Sequence, residues 1–256
     1  MNSQWTTSAI QAALRAGDLL RKGFGTPLEI IHKPGRHNVV TQYDFQAEGA
    51  ILSFLEKEFP DHAFLAEESG GANQTTKPLW LIDPLDGTMN FSRGIPQFTV
   101  SIALFHEGKT QVGVVYQPIT QELFVAQRGW GAFLNGKQIR VSGIDTLDHS
   151  ALLTSLAYDA ERPANAGEIL LNIAKQSGPI RDFGSAALHL AYVAAGRFEG
   201  YWAHILSPWD FAAGTLLVEE AGGQATTTDG SPLPFDRDTS VVASNRTLHQ
   251  ELLSKE

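Results

Sequence analysis

Cysteine is absent from the 256-residue sequence, which excludes disulfide staples, thiolate zinc sites and cysteine nucleophiles and fits a cytoplasmic protein. Long apolar runs are missing too. Nowhere do about 18 apolar residues follow one another, so no membrane-spanning helix is expected. The N-terminus, Met1-Asn2-Ser3-Gln4-Trp5, lacks a basic segment followed by an apolar stretch, which disfavours secretion. Basic residues are scarce as well: Lys plus Arg number 19 against 28 Asp plus Glu, a formal net charge of −9. Such a chain repels phosphate backbones, so nucleic acid is not expected as a principal partner.

What is present is the composition of a folded protein, with 43% hydrophobic and 18% charged residues, neither disordered nor fibrous. The length suffices for one large core or two packed halves. From 7 to 24, Ile10, Ala13, Leu14, Leu20 and Phe24 fall at helical spacing, with Thr and Ser in front as caps. A second helix is expected over 45–57, capped by Asp44, with Ala47, Ile51, Phe54 and Leu55 on one face and Pro60 closing it. Runs rich in β-branched and aromatic residues at 79–82, 99–105, 112–116 and 122–126 predict a largely antiparallel sheet, and Asn135-Gly136 predicts a tight hairpin. Beyond the polar stretch 142–149 the pattern alternates strands, at 151–155 and 240–243, with helices at 164–176, 185–196 and 209–221. A terminal helix capped by Asn245 follows, completing an α/β pattern. The expected division is an N-terminal α+β half, 1–143, and a C-terminal α/β half, 144–256.

Three distant segments carry acids in unusual company: Glu67-Glu68-Ser69, Asp83-Pro84-Leu85-Asp86-Gly87-Thr88, and Asp210 within Trp209-Asp210-Phe211. The apolar run before Asp83 delivers it on a buried strand to a sheet edge, where Pro84 and Gly87 reverse the chain and present Asp86 beside it. Two carboxylates about 4 Å apart at an effective dielectric near 20 repel by roughly 4 kcal/mol, so a shared site demands protons or cations. Oxygen donors without His or Cys favour Mg²⁺, which keeps waters and takes phosphate oxygens as further ligands. Each segment alone also reads as ordinary structure: Asp-Pro and Asp-Gly are turn pairs, Glu67-Glu68 a solvated loop, and Asp210 a favourable charge at a helix N-terminus. Spacing by itself leaves open whether the three meet.

The run Trp80-Leu81-Ile82-Asp83-Pro84-Leu85-Asp86-Gly87-Thr88-Met89-Asn90-Phe91 and the later Pro208-Trp209-Asp210-Phe211-Ala212-Ala213-Gly214 resemble the two signatures of the inositol monophosphatase family. Glu67-Glu68-Ser69 and Val40-Thr41-Gln42-Tyr43-Asp44 fit its other acidic elements. The likeness continues through Gly113-Val114-Val115-Tyr116, Gly129-Trp130-Gly131-Ala132-Phe133 and Glu220-Ala221-Gly222-Gly223. It implies a layered αβαβα sandwich of the sugar phosphatase type and Mg²⁺-dependent hydrolysis of myo-inositol 1-phosphate or a related sugar phosphate. It further implies Glu67, Asp83, the Leu85 carbonyl, Asp86 and Asp210 as ligands of two or three Mg²⁺. Asp44 and Thr88 would stand with Glu67 around the attacking water, and Lys33 would lie on a mobile loop near the metals. A homodimer and lithium inhibition, the small ion replacing one Mg²⁺, are implied as well.

Gly87-Thr88 and Gly184-Ser185 each precede an expected helix, so amides there and at Ala186, beside Asp86 and Asp210, are expected to face the phosphate. The expected chemistry is direct in-line attack by metal-activated water, with no covalent phosphoenzyme. Inositol phosphatases of the family carry a Glu seven residues before the aspartate of the second signature; Ala203 stands there in this chain. Losing that acceptor costs about 1.5–3 kcal/mol of recognition unless His204, Tyr158 or Asp159 replaces it. Fructose 1,6-bisphosphate, histidinol phosphate, NADP and nucleotide 3′-phosphates are the alternative substrates, although Met89-Asn90-Phe91 sides with the inositol-type branch. A non-catalytic metal-binding regulator is the alternative of another class. Asp182-Phe183-Gly184 matches a kinase tripeptide without the other kinase segments, and His189, between Leu188 and Leu190, is expected in the core or behind the site.

Overall fold

The computed structural model describes residues 3–32, 39–71, 76–155 and 166–253; Lys33, Tyr158 and Asp159 lie outside them. Helix α1 (Ser3–Gly23) leads to a short antiparallel pair, β1 (Ile30–His32) and β2 (Val39–Thr41), and then to α2 (Gln42–Glu58). The α2 cap differs from expectation. Thr41 is the N-cap, its hydroxyl accepting the Tyr43 amide at 3.2 Å, and Asp44 sits inside the first turn with Oδ2 accepting the Thr41 amide at 2.8 Å. The two residues form a reciprocal capping box, so Asp44 serves the cap without being it.

The larger sheet contains β3 (Ala63–Ala66), β4 (Gly70–Gly71), β5 (Leu79–Asp86), β6 (Thr99–His106), β7 (Lys109–Gln117), β8 (Glu122–Gln127), β9 (Gly131–Leu134) and β10 (Lys137–Ile139). Its order is β10-β9-β8-β7-β6-β5-β3-β4, antiparallel throughout except for the parallel β3–β5 pair. A single-turn helix, α3 (Thr88–Ser92), follows β5. Asn135 and Gly136 close the β9–β10 hairpin with φ of 48° and 77°, the left-handed pair that a two-residue turn of this type needs.

The second sheet, in the order β12-β11-β13-β15-β14, contains β11 (Leu152–Ser155), β12 (Ile180–Arg181), β13 (Gly200–Leu206), β14 (Gln224–Thr226) and β15 (Thr239–Ser244). Its helices are α4 (Ala166–Ala174), α5 (Ala186–Ala194), α6 (Pro208–Glu220) and α7 (His249–Leu253).

Strand alternation builds the layers. Trp80, Ile82, Ile102, Leu104 and Val114 face Ala13, Leu20, Ala47, Ile51 and Leu55 of α1 and α2. The opposite faces of the same strands, through Leu79, Leu81, Ala103 and Val115, meet Leu190 of α5 and Phe211 and Leu217 of α6. Tyr201, Ala203, Val241 and Ala243 of the second sheet close that cluster from the other side. Trp202 and Val242 turn outward to Ile169 and Ile173 of α4 and Leu252 of α7. The result is the layered αβαβα sandwich expected from the resemblance. No helix among the described residues is long and apolar enough to cross a membrane.

Two glycines set the depth of the central layer. A Cβ at Gly113 in β7 would lie 2.6 Å from the Ala213 carbonyl oxygen, and one at Gly214 would lie 2.4 Å from the Leu190 Cβ. Helix α6 therefore lies directly on the sheet and against α5. The Ser101 hydroxyl of β6 donates to the Trp209 carbonyl at 3.0 Å, fixing the first turn of α6 over the end of β5.

Candidate active site

Strand β5 is buried from Leu79 to Leu85 because both its faces are covered by helices. Its ladder with β6 breaks between Asp83, paired with Ser101, and Asp86, paired with Thr99, so two residues of β5 oppose one of β6. Pro84, which has no N–H to give a ladder, lies at this bulge. In a regular strand, side chains three residues apart point to opposite faces; one extra residue brings Asp83 and Asp86 to the same side. Asp83 Oδ1 then accepts the Leu85 amide at 2.9 Å.

Asp86 is held by the start of α5. Its Oδ2 accepts the Ser185 hydroxyl at 2.7 Å and the Ala187 amide at 2.7 Å, and its Oδ1 accepts the Ala186 amide at 3.2 Å. This differs from the expectation that Gly184, Ser185 and Ala186 face the phosphate. A carboxylate at a helix N-terminus satisfies unpaired amides and the dipole together, and here it comes from the protein itself. The Gly184 amide turns to Asp182 Oδ1 at 2.8 Å. The Asn90 side chain stitches α3 to this turn, its Nδ2 donating to the Gln97 carbonyl at 2.6 Å and the Phe183 carbonyl at 2.5 Å.

Asp210 stands in the first turn of α6, with Oδ2 accepting the Ser207 amide at 2.8 Å; the Ser207 hydroxyl donates to Asp238 Oδ1 at 2.9 Å. Asp44 is fully buried. Its Oδ2 takes the Thr41 hydroxyl at 2.6 Å and its Oδ1 the Thr88 hydroxyl at 2.8 Å. Thr88 Oγ1 also lies 3.0 Å from the Leu85 carbonyl, so its one proton serves either acceptor.

Electrostatics show that the three segments converge. Burial pushes the Asp83 carboxyl well above the usual range, and Glu67, Asp86 and Asp210 push it further. Asp210 is raised well above its ordinary value by burial and then by Asp86 and Glu67. Burial lifts Asp86 to about 6 against the lowering effect of its bonds from Ser185, Ala187 and Ala186. Burial also raises Asp44, opposed by Thr41 and Thr88. An acid raised by neighbouring acids lies close to them and lacks a counter-charge. The donor set is all oxygen, and a hard divalent cation is what relieves it, so the residues fit such an ion. Among the described residues no group of three or more His, Cys, Asp or Glu side chains is placed so that it could hold a metal ion by itself; sites of this chemistry take water and phosphate oxygens as further ligands.

Behind the site His189 is fully buried. Its Nε2 accepts the Phe183 amide at 2.8 Å, which puts the ring proton on Nδ1, 3.3 Å from Ser155 Oγ, where the Tyr201 hydroxyl also donates at 2.8 Å. Ala203 is fully buried on the face of β13 toward α5 and α6. His204 falls beside Trp202, ring centroids 6.4 Å apart, on the other face, and so does not replace an acid at 203. Glu48, which the sequence reading passed over, accepts the amides of Glu68 and Ser69. Its signal was an acid one helical turn after Asp44 on a face otherwise made of Ala47, Ile51 and Leu55.

A layered sandwich with an all-oxygen acidic cluster at the end of interior strand β5 fits a hydrolase of phosphoric monoesters. The chain belongs to the inositol monophosphatase family, whose model matches residues 1–256. It is 40% identical over 252 residues to the inositol-1-monophosphatase of Caulobacter vibrioides, covering 96% of this chain and 98% of that one. It is 44% identical over 218 residues to the Nus factor SuhB of Escherichia coli, 84% of this chain and 82% of the relative. The crystal structure of extragenic suppressor protein suhB from Bartonella henselae matches with a TM-score of 0.91 at 39% identity, covering 98% of both chains.

Proposed function

We propose that this phosphatase is Mg²⁺-dependent and hydrolyses myo-inositol 1-phosphate or a related sugar monophosphate. The observation that carries the reading is the convergence of buried acids, Glu67, Asp86 and Asp210 raising Asp83, and Asp86 and Glu67 raising Asp210. Glu67, Asp83, the Leu85 carbonyl, Asp86 and Asp210 would hold two or three ions. Bound there, Mg²⁺ would neutralise the carboxylates, polarise the phosphoryl oxygens and acidify water.

The chain's own groups supply alignment. Thr88 gives its hydroxyl proton to Asp44 and so turns its lone pairs to the attacking water, with Glu67 on the other side. The first turn of α3 has no side-chain cap, and the Gly87-Thr88 amides take a phosphoryl oxygen. Asp86, locked by α5, keeps its oxygens fixed while charge develops. Attack in line inverts the configuration at phosphorus. The same reading carries lithium inhibition, a homodimer and a cytoplasmic location.

Ala203 moves the substrate away from a strict inositol phosphatase, because no acid at that position accepts ring hydroxyls. The test is phosphate release, with and without Mg²⁺, from inositol 1-phosphate, fructose 1,6-bisphosphate, histidinol phosphate, NADP and nucleotide 3′-phosphates. Equal release after chelation overturns the metal dependence. A second reading, a regulatory binding role, is favoured by the 44% identity to a protein named Nus factor SuhB. Absence of turnover across the whole substrate panel would support it.

A further inference from the structure

Glu48 is 4% exposed on the buried face of α2, one turn beyond Asp44. Its Oε2 accepts the Glu68 amide and its Oε1 the Ser69 amide, both at 2.9 Å. The amide just before them, that of Glu67, donates to the Ile82 carbonyl at 3.1 Å. Three successive amides are therefore fixed: the first to the strand that carries Asp83, the next two to the helix that carries Asp44. The loop they belong to spans only the residues between Ala66 and Gly70, which are paired across the β3–β4 hairpin. Beyond it lie Gly70 and Gly71, with φ of 71° and 139°, so the chain after the loop has little stiffness of its own. Without the Glu48 carboxylate, two of the three amides lose their protein acceptor.

We propose that Glu48 is a positioning residue for the metal centre: by clamping the Glu68 and Ser69 amides to α2 it holds Glu67 in register with Asp83 and with the Asp44–Thr88 pair. Helix α2 is then a common reference for both sides of the water-binding position, Thr88 through Asp44 and Glu67 through Glu48. The inference rests on Glu67 being a metal ligand.

The test is Glu48→Gln in the full-length protein, with Mg²⁺ binding followed by calorimetry, the Mg²⁺ dependence of inositol 1-phosphate hydrolysis, and thermal melting. Gln keeps the size but offers one acceptor oxygen, and its amino group meets a main-chain donor. Mg²⁺ affinity should fall about 10–100-fold, as for other groups that orient metal ligands. The Mg²⁺ needed for half-maximal rate should rise in parallel, and KM for the substrate at saturating Mg²⁺ should not change. In a Glu67→Gln background the same substitution should leave Mg²⁺ affinity unchanged, because its route is gone. Glu48→Asp, which keeps both oxygens but withdraws them by one methylene, carries the same expectation if the Gln variant does not fold. Unaltered Mg²⁺ affinity in a folded Glu48 variant, or an equal loss in both backgrounds, overturns the proposal. If the wild-type protein binds no Mg²⁺, the reading of the site falls and this inference with it.

Discussion

The Asp86 carboxylate and the Ser185 hydroxyl meet at 2.7 Å although 99 positions separate them in the chain. The bond joins the end of β5, an interior strand of the larger sheet, to the helix that lies between the two sheets, and it lowers the Asp86 pKa against burial, which lifts it to about 6. Ser185→Ala should remove that lowering, so a higher pH is needed to free the carboxylate for a cation. The acid limb of the pH–rate profile should move upward, and stability should fall by about 1.5–3 kcal/mol for a bond to a charged group. Rates measured across pH at fixed Mg²⁺ check this; an unmoved acid limb removes Ser185 from the site's electrostatics.

Asp210 is repelled chiefly by Asp86 and Glu67, and that repulsion predicts opposite effects on turnover and on stability. Asp210→Asn retains an oxygen to accept the Ser207 amide while deleting the charge. Hydrolysis should drop by orders of magnitude. In chelator, however, the variant should melt above wild type, because a buried charge without a partner has been removed. Added Mg²⁺ should raise the melting temperature of wild type far more than that of the variant. Melting curves in chelator and in Mg²⁺ decide the point, and near-normal turnover by the variant would falsify a catalytic role for Asp210.

Folded-state pKa values raised above the unfolded carboxylate value of 3.8 give a definite pH dependence. Asp86 at about 6, and Asp83 and Asp210 raised with it, bind protons more readily folded than unfolded. The contribution of Asp86 is present below 3.8 and is lost as pH rises through about 6, and Asp83 and Asp210 act in the same sense. Buried His189 and His249 act in the opposite sense. Their values are lowered from 6.5 to about 3 and about 4, so stability present above 6.5 is lost as pH falls toward those values. The histidines cancel in the difference between Mg²⁺-loaded and chelated protein, and the acid cluster does not. That difference in melting temperature should grow as pH rises through about 6, since protons and Mg²⁺ compete for the same oxygens. A difference that stays flat from pH 5 to 8 excludes the cluster as the cation site.

Elements with strong periodic patterns were legible in the sequence. The apolar run at 79–82, the Asn135-Gly136 turn and the helix after Asp44 all stand where their patterns place them, because burial on a fixed face dictates residue type. Strand β3 was not, since Ala63-Phe64-Leu65-Ala66 has neither alternation nor β-branched residues and owes its pairing to β5. At the start of α2 the acid and the hydroxyl of a capping box exchange bonds, so Thr41 rather than Asp44 is the cap. The amides of α5 went to Asp86 because the partner of a helix N-terminus is fixed by tertiary packing, which local sequence does not encode. Glu48 is marked in the sequence only as an acid on the apolar face of α2; its partners, 20 and 21 residues away, are set by tertiary packing.

Close backbone approach gives the last prediction. Gly113 admits the Ala213 carbonyl so closely that an added Cβ would stand 2.6 Å from its oxygen, with backbone rather than a flexible side chain in the way. Gly113→Ala must therefore lift α6 from the sheet, and α6 carries Asp210 in its first turn. Overpacking of this kind costs about 1–3 kcal/mol, and the displacement should also weaken Mg²⁺ binding. Gly49, exposed in the middle of α2 with nothing within 4 Å of a built Cβ, is the control: Gly49→Ala should stabilise by about 0.5–1 kcal/mol and leave Mg²⁺ binding alone. Denaturant unfolding and Mg²⁺ titration of the two variants side by side test whether the glycine in β7 holds the aspartate of α6 in place. Loss of stability without loss of Mg²⁺ affinity in Gly113→Ala would show that α6 yields elsewhere along its length and keeps its first turn fixed.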